Sequence, residues 1–420
     1  MLKFFERLPL AILIAVLGLG LIFSVPMMFS PLFRLRIAAL DAPPLAGMQI
    51  HWAIPQLSLS HVMDGSFQKS TEYLLEDVFP FRAAIVRATN QVYYSLFARS
   101  YMYRNEVVIG RHQYLYETVY VQHQCNTLRE KHTQEEFDRW AKTIEGLGDF
   151  FTQRGQTFLF VLTPSKAAYF PEYLPQWAGC GGQPPRAEYF LATAALPRTH
   201  IPYVDLSKLV IDARGKYPLQ LFNRGGTHWN MLAVALSAQQ IAAKISAQGK
   251  LQLPPVNFSY AVDNHPAGID TDLLDVLNLW APNRNYPTAV VNFERQPPRT
   301  PAPRVAIVGG SFMGQMSQAL YDTNMFERVD YYFYLMMAHV GSPAASYPQA
   351  SPYTAEYYRE LLAADIVILE ENEGNLKSPH VRVLEEALAL FAGRAAPEGP
   401  MTAFTQDKLR PCTTGTRSGC

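Results

Sequence analysis

The sequence lacks net charge, because its 420 residues include 36 basic and 36 acidic side chains. Without a global positive field the protein has no electrostatic means of attracting nucleic acid, and a nucleic-acid partner is therefore not expected. Internal repeats and low-complexity tracts are also absent. With 49% hydrophobic and 12% aromatic residues, the chain can instead bury a substantial core.

Cysteine is scarce, with four residues that form no Cys-x-x-Cys pair: Cys125, Cys180, Cys412 and Cys420. None lies beside a histidine cluster with zinc-ligand spacing, so the sequence predicts no structural zinc, no other metal and no cofactor. An even number permits two disulfides in three possible connectivities, which would suit an extracytoplasmic body. Four unrelated thiols are the alternative.

Charged residues are also absent from Leu8 to Phe33. This stretch is close to the roughly 20 apolar residues that cross the hydrocarbon core of a bilayer. A secretory signal has a shorter apolar region and a small-residue cleavage site, so we predict an uncleaved transmembrane anchor over residues 8–33. Basic residues flank both of its ends, and the positive-inside rule therefore leaves its orientation open. The proline-interrupted residues 34–66 are predicted to form a stalk.

Beyond residue 66, short apolar runs alternate with longer helical patterns, which is typical of an α/β domain with a mainly parallel sheet. We predict one domain over residues 67–395, with two helices between Phe67 and Phe97 separated at Pro80, and a loose tail over residues 396–420. The predicted strands are Thr157–Leu162, Ile201–Val204, Arg304–Val308, Val329–Phe333 and Asp365–Leu369. The later predicted helices are Gln134–Arg154, Trp229–Gln248, Phe312–Tyr321, Ala355–Ala363 and Pro379–Ala392. Residues 251–303 are predicted to form a surface excursion with a helical patch over Asp272–Leu279.

A candidate nucleophile follows the third predicted strand. This strand ends at Gly309 and Gly310 and delivers Ser311 to the start of a helix, where the backbone N–H groups of Gly310, Ser311 and Phe312 are candidates to hold an oxyanion. A neutral serine needs an adjacent base, and His228 is the candidate. The alternative is that Ser311 is an ordinary helix N-cap and His228 a polar residue near a helix start.

The orienting acid of a triad is missing from its usual position, because Gly226 stands two residues before His228. Asp205, Glu371 and Glu373 follow predicted strands and are candidates to replace it, although a solvated loop is the default for the two glutamates. One lysine and four aromatic residues are further candidates for a site. Lys166 is expected to support its loop or meet an anionic substrate, and four aromatic residues offer faces for sugar stacking or belong to the core: Trp229, Tyr169, Tyr173 and Trp177.

Six strings in this order resemble the AlgJ/AlgX group of SGNH-hydrolase-like polysaccharide O-acetyltransferases, and the resemblance covers most of the chain from about residue 67 to 392. The strings are Asp77–Arg82; Glu106–Gly110 with Tyr114–Tyr116; Thr163–Lys166 with Pro171–Pro175; Thr227–Trp229; Gly309–Phe312; and Asp365–Glu373.

The resemblance implies a three-layer, flavodoxin-like SGNH domain that is anchored in the bacterial inner membrane and faces the periplasm, with residues 1–7 in the cytoplasm. It implies acetylation of an exported polysaccharide, with a membrane-bound O-acyltransferase as the partner that supplies acetyl groups. By position, the family's nucleophile falls on Ser311 and its histidine on His228. The family's aspartate falls on Gly226, and the residue before the serine, often Asp or Thr, is Gly310.

The leading hypothesis is therefore an O-acetyltransferase that works through an acetyl-Ser311 intermediate. An acetylesterase of the same fold, with water as the acceptor, is a second hypothesis. The third is a catalytically impaired polysaccharide-binding or scaffold subunit of the same modification complex, which Gly226 and Gly310 would favour.

Overall fold

The structure is a computed structural model, and it describes residues 45–47, 55–78, 82–101, 107–128, 131–180, 185–334, 337–339, 341, 355–378 and 380–391. The predicted anchor at residues 8–33 and the predicted tail at residues 396–420, with Cys412 and Cys420, lie outside these ranges. No helix within the described ranges has the length and apolar character needed to span a bilayer.

The chain divides into two compact units, one comprising Met1–Arg104 with Leu274–Pro282 and the other Asn105–Leu273 with Asn283–Cys420. The predicted domain boundary at residue 67 therefore does not coincide with this division, which falls near residue 105. The described helices of the first unit are α1 (Leu59–Met63), α2 (Ser66–Val78) and α3 (Arg82–Phe97). The first of them lies within the predicted stalk.

One face of α3 is apolar and exposed. Ile85, Val92 and Leu96 repeat at helical spacing along it, and their exposed fractions are 45%, 48% and 72%. On the other side of the helix, the buried Asn90 donates a hydrogen bond to the backbone oxygen of Leu277 at 2.8 Å. The first unit thus ties its two chain segments together while it presents apolar side chains outward.

The second unit is built on a six-stranded sheet in which five strands are parallel and one edge strand is antiparallel. Two further pairs of strands lie outside this sheet, β1 with β2 and β5 with β6. The strands are β1 (Val107–Ile109), β2 (Leu115–Glu117), β3 (Thr157–Thr163), β4 (Tyr203–Asp205), β5 (Phe258–Asp263), β6 (Thr288–Phe293), β7 (Arg304–Gly309), β8 (Arg328–Phe333), β9 (Met337–His339) and β10 (Ile366–Asn372).

Helices cover both faces of the sheet and produce the predicted three layers. Successive strand residues alternate between the two faces, so Leu159 joins one apolar core and Phe160 the other. The first core includes residues of α4 (Thr118–Gln124), α6 (Lys166–Tyr169), α8 (Leu206–Asp212), α9 (Met231–Ser246) and α11 (Phe312–Asp322). The second includes residues of α5 (Gln134–Gln153), α7 (Ala187–Ala195), α12 (Ala355–Leu362) and α13 (His380–Phe391). The short helix α10 (Asp272–Val276) lies between β5 and β6 in the chain.

The strand order is β4-β3-β10-β7-β8-β9, so the last of the described strands lies between the first and the third strands of the sheet. A flavodoxin-type sheet pairs its first and third strands directly, and the order here differs in that respect. The carboxyl end of β10, with its run of glutamates, is brought beside the end of β7, where the nucleophile turn begins.

Cys125 and Cys180 form a disulfide. It joins the residue after α4 to the loop that precedes α7. The sequence left three connectivities open for two disulfides, and this bond decides one pair. The remaining two cysteines lie outside the described residues.

Candidate active site

Ser311 lies between the end of β7 and the start of α11, as the sequence predicts. Its backbone is already helical, with φ −60° and ψ −24°, and its side chain makes no capping hydrogen bond. Ser311 thus stands at the N-cap position of α11, as the alternative interpretation expects, but its side chain does not cap the helix. The Tyr334 hydroxyl oxygen lies beside this turn, 3.0 Å from the position that a Cβ on Gly310 would take.

The turn that carries Ser311 is fixed through Gly310. The N–H of Gly310 donates to Oε2 of Glu370 at 2.8 Å, and its carbonyl accepts from the Tyr331 hydroxyl at 2.6 Å. Burial raises the pKa of Glu370 to about 7, although hydrogen bonds from Thr163 and Gly310 oppose the rise. Because its N–H is engaged, Gly310 is not a free oxyanion donor, which corrects the oxyanion role predicted for it.

His228 has an acid partner, Asp272, at the first position of α10. Nδ1 of His228 lies 2.5 Å from Oδ2 of Asp272, and Oδ1 of the same carboxylate accepts from the Thr227 N–H at 2.7 Å. Burial acts to lower the pKa of His228, but the charge and hydrogen bond of Asp272 outweigh it, so the pKa lies above its usual value. Nε2 of His228 is buried and has no hydrogen-bond partner among the described residues. An imidazole held at Nδ1 with Nε2 open is the arrangement of a general base.

Phe312, the residue after Ser311, contacts the candidate base, because its ring lies 4.9 Å from the His228 ring, centroid to centroid. The side chain of Phe312 is buried and has no hydrogen-bond donor, so its backbone N–H is the group that could bind an oxyanion. Trp229 is fully buried and packs on the same Phe312 ring. Trp229 therefore belongs to the core, the second of its two expected roles, and its indole is not exposed to a sugar. Among the other aromatic candidates, Tyr169 is also buried, whereas Trp177 is 65% exposed.

Residue 226 has no room for a side chain. A Cβ there would overlap the backbone oxygen of Ile269 and lie 3.0 Å from the carbonyl carbon of Asp270. The backbone just before Asp272 therefore occupies the space that the family's aspartate side chain would need. Thr288 of β6 anchors this backbone by donating to Oδ2 of Asp270 at 2.5 Å. The carboxylate that contacts His228 thus comes from Asp272 and not from residue 226. The glycine at residue 226 lets the backbone of Ile269 and Asp270 lie close enough for this contact.

Sequence reasoning missed Asp272 as the orienting acid. Its one signal was its place at the start of the predicted helical patch Asp272–Leu279, where an aspartate is a common first-turn residue. The three acids that the sequence offered for this role make other contacts. Asp205 is the N-cap of α8 and accepts from the Lys208 N–H at 2.8 Å.

Glu371 and Glu373 are both fully buried, so the prediction of a solvated loop is wrong. Glu371 accepts from the Lys377 N–H at 2.8 Å, and burial raises its pKa to about 8. Glu373 accepts from the Ser165 N–H at 2.7 Å and pairs with Arg186. These contacts do not bring either carboxylate to His228.

Lys166 is buried at the first position of α6, and Nζ donates to the backbone oxygens of Arg224 and Gly226, at 2.7 Å in each case. Burial holds its pKa well below the usual value. Lys166 therefore fixes the turn that leads into His228, which agrees with the expected loop-supporting role. Within the described ranges, no group of three or more His, Cys, Asp or Glu residues is arranged to hold a metal ion.

The model of a family described as "SGNH hydrolase-like domain, acetyltransferase AlgX" matches residues 107–323, slightly more than half of the chain. The chain belongs to this family. The resemblance deduced from the sequence motifs is thus confirmed, together with an SGNH-like α/β fold built on a parallel sheet. The matched range of this AlgX-type domain includes Ser311, His228 and Asp272.

Two curated relatives of this AlgX-type chain carry the name "Probable alginate O-acetylase AlgJ". The protein from Pseudomonas syringae pv. tomato is 26% identical over 216 residues, which is 49% of each chain. The protein from Pseudomonas putida is 24% identical over 222 residues, which is 53% of this chain and 54% of the relative. The chain thus matches about half the length of these relatives.

Two solved structures are also similar. The O-acetyltransferase domain of Pseudomonas putida AlgJ is 20% identical with a TM-score of 0.42, over 64% of this chain and 91% of that one. Pseudomonas aeruginosa AlgX is 14% identical with a TM-score of 0.43, over 69% of this chain and 68% of that one.

The pH dependence of kcat/KM is expected to report the charge on His228. Because Asp272 raises the pKa of this histidine, the neutral base form is lost as the pH falls through a value above about 6.5. Activity should therefore decline on the acid side of that pH, and Asp272→Asn should move the acid limb to lower pH. A pH–rate profile of both proteins tests this, and an unshifted limb would contradict the pairing.

Gly226→Ala is expected to lower kcat/KM about 10²-fold, because the added methyl group must push the Ile269–Asp272 backbone away from His228. Gly226→Asp restores the family motif but is expected to be no better, since its Cβ meets the same overlap. The matched control is Gly146→Ala on α5, where a Cβ would meet nothing within 4 Å. Full activity in Gly226→Ala would show that the backbone contact does not position Asp272.

Proposed function

We propose that this chain is an O-acetyltransferase that transfers acetyl groups to hydroxyl groups of an exported polysaccharide through an acetyl-Ser311 intermediate. The observation that carries the proposal is the state of the His228 imidazole. Its Nδ1 lies 2.5 Å from Oδ2 of Asp272, and its Nε2 has no hydrogen-bond partner in the described part of the chain. The two curated relatives named alginate O-acetylase support polysaccharide acetylation as the direction of the chemistry.

The proposed reaction has two halves. Ser311 Oγ attacks the acetyl carbonyl of the donor while His228 Nε2 takes its proton, and collapse of the tetrahedral intermediate expels the donor's leaving group with that proton. A sugar hydroxyl then attacks acetyl-Ser311 and gives its proton to Nε2, which returns it to Ser311 Oγ as the acetylated sugar leaves. The N–H groups of Ser311 and Phe312, at the start of α11, hold the oxyanion in both halves.

The proposal includes a membrane location, with the catalytic unit in the periplasm and a membrane-bound O-acyltransferase as the acetyl supplier. Its support from this chain is the uncharged stretch from Leu8 to Phe33 and the exposed apolar face of α3. The disulfide between Cys125 and Cys180 also favours an oxidising compartment.

The scaffold hypothesis depended on Gly226, where the acid is missing, and on Gly310. The contact between Asp272 and His228 counts against it, because the role of the missing aspartate has a candidate in the same site. Transfer and hydrolysis use the same three residues, so the acceptor has to be identified by experiment.

The test uses the purified full-length chain with p-nitrophenyl acetate as donor and either an oligouronate or a neutral oligosaccharide as acceptor. We expect acetyl-Ser311 in the mass spectrum of the protein and acetylated oligosaccharide among the products, and neither in Ser311→Ala. The matched control is Ser317→Ala on the same helix, where the hydroxyl bonds to the Gly314 oxygen at 2.8 Å. Acetate release without acetylated sugar would replace the proposal by an esterase, and no Ser311 acetylation would return it to a scaffold.

A further inference from the structure

The first unit exposes an apolar surface that the reaction proposed above does not use. Ile85, Val92 and Leu96 form its central stripe along α3. Phe97, the last residue of the helix, is 60% exposed and continues the apolar surface at that end. Soluble monomers rarely expose apolar side chains side by side in this way, so the stripe indicates a contact surface.

Trp280 lies next to α3 in the same unit, and its side chain is 61% exposed. The following residue, Ala281, donates its backbone N–H to Oε1 of Gln91 at 3.0 Å, which holds this segment against the middle of the helix. An indole has an apolar ring and a polar N–H, and exposed tryptophans are enriched where a protein meets the headgroup level of a bilayer. The aromatic side chain beside the aliphatic stripe therefore favours lipid as the partner.

The charge around this surface has one sign. Residues 82–105 contain no aspartate or glutamate, although the chain as a whole has no net charge, and they include Arg82, Arg87, Arg99 and Arg104. A helix with an apolar face in a basic segment is typical of helices that lie in the interface of an anionic bilayer. The 16 residues of α3 are fewer than the roughly 20 that cross the hydrocarbon core, so the helix can lie on a bilayer but not span it.

The chain that precedes this unit leads to it from the predicted anchor. Only 25 residues separate Phe33, where the predicted anchor ends, from Leu59, where α1 begins. When fully extended, such a segment spans at most about 90 Å. The predicted anchor would therefore keep the first unit close to the bilayer, and a tether of this kind makes even a weak second contact effective.

We propose that the apolar face of α3, together with Trp280, lies in the headgroup region of a bilayer that contains anionic phospholipid. The inference rests on the membrane location in the proposed function and goes beyond it, because that location requires only a tether. Leu96 and Trp280 then reach about 5–10 Å into the boundary between headgroups and acyl chains. The exposed Arg99 meets the lipid phosphates.

The test follows Trp280 fluorescence in the full-length chain reconstituted into vesicles of phosphatidylcholine and phosphatidylglycerol, with or without bromine on the acyl chains. The Trp280 signal is the difference between wild type and Trp280→Phe. Bromine quenches indoles that reach the acyl chains, so we expect the brominated vesicles to remove most of this signal. The matched control is Trp177, which is 65% exposed in the second unit. Its signal, measured with Trp177→Phe, should not change with bromine.

Leu96→Glu places a charge on the proposed lipid face and should restore the Trp280 signal in brominated vesicles, because a carboxylate is unfavourable at the acyl chains. Leu390→Glu makes the same change at a leucine of α13 that is 42% exposed, and it should leave the quenching at the wild-type level. Thermal melting of both variants checks that they are folded. Brominated phosphatidylcholine without phosphatidylglycerol should quench Trp280 less, because the basic segment then has no anionic lipid to bind.

Vesicle flotation separates this inference from the proposed function. If wild type does not float with the vesicles, the proposed membrane location fails as well. If it floats but Trp280 is not quenched, or if Trp177 is quenched equally, only the inference is overturned. Protection of Trp280 from both bromine and aqueous acrylamide would also overturn it and would assign the face to a protein contact.

Discussion

Asp272→Asn is expected to lower kcat about 10⁴-fold, the cost of removing the orienting carboxylate from a serine triad. An asparagine can keep the hydrogen bond from the Thr227 N–H, but it cannot stabilise an imidazolium at His228 by charge. It can also present its amide N–H₂ to Nδ1, which would favour the wrong tautomer of the histidine. Steady-state acetyl transfer to an oligosaccharide measures the effect.

The control for Asp272→Asn is Asp205→Asn, which makes the same chemical change at an acid that the sequence also offered. Asp205 caps α8 and accepts a hydrogen bond from the Tyr189 hydroxyl at 2.8 Å. Because asparagine caps a helix about as well as aspartate, its replacement should change the free energy of unfolding by only about 0.5 kcal/mol and leave kcat within about twofold of wild type. If Asp205→Asn abolishes turnover while Asp272→Asn does not, the assignment of the orienting acid is wrong.

His228→Ala is expected to lower kcat further, by about 10⁶-fold, since the base takes part in both halves of the reaction. Because Asp272 acts through His228, adding Asp272→Asn to His228→Ala should cost almost nothing more. A double-mutant cycle on kcat therefore measures whether the two residues work as one unit. Additive losses would mean that Asp272 acts on some other group.

The surface offers a matched control for His228→Ala. His265 pairs with Asp263 at 2.8 Å, as His228 pairs with Asp272, but its side chain is 91% exposed. His265→Ala removes the same kind of ion pair, and exposed pairs contribute little to stability. Its activity should stay within about twofold of wild type. A comparable loss in both variants would indicate a general effect of removing a histidine–carboxylate pair.

The sequence was informative about Ser311 and His228 because each follows from a local pattern. A buried strand that ends in two glycines places the next residue at a helix start, and the structure has β7 end at Gly309 and α11 begin at Phe312. The motif around His228 likewise precedes a helix, which the structure begins at Met231. Local periodicity and turn residues thus located both side chains without knowledge of the sheet.

The orienting acid could not be found in this way. Asp272 is 44 residues from His228 along the chain, in an excursion whose β5–β6 hairpin the sequence did not reveal. Its approach depends on that hairpin and on the absence of a side chain at Gly226. No spacing rule connects these features, because the excursion can reach the histidine loop only after the sheet and its helices have packed.

The sequence by itself determined the α/β class, the family, and the nucleophile and base of the proposed site, since alternating apolar periods and short motifs are written in consecutive residues. The tertiary structure decided which acid faces His228 and why residue 226 is a glycine. It also placed β10 between β3 and β7, so that Glu370 holds the Gly310 N–H. These contacts join residues that are distant in the chain, and only the packing of complete elements fixes which of them meet.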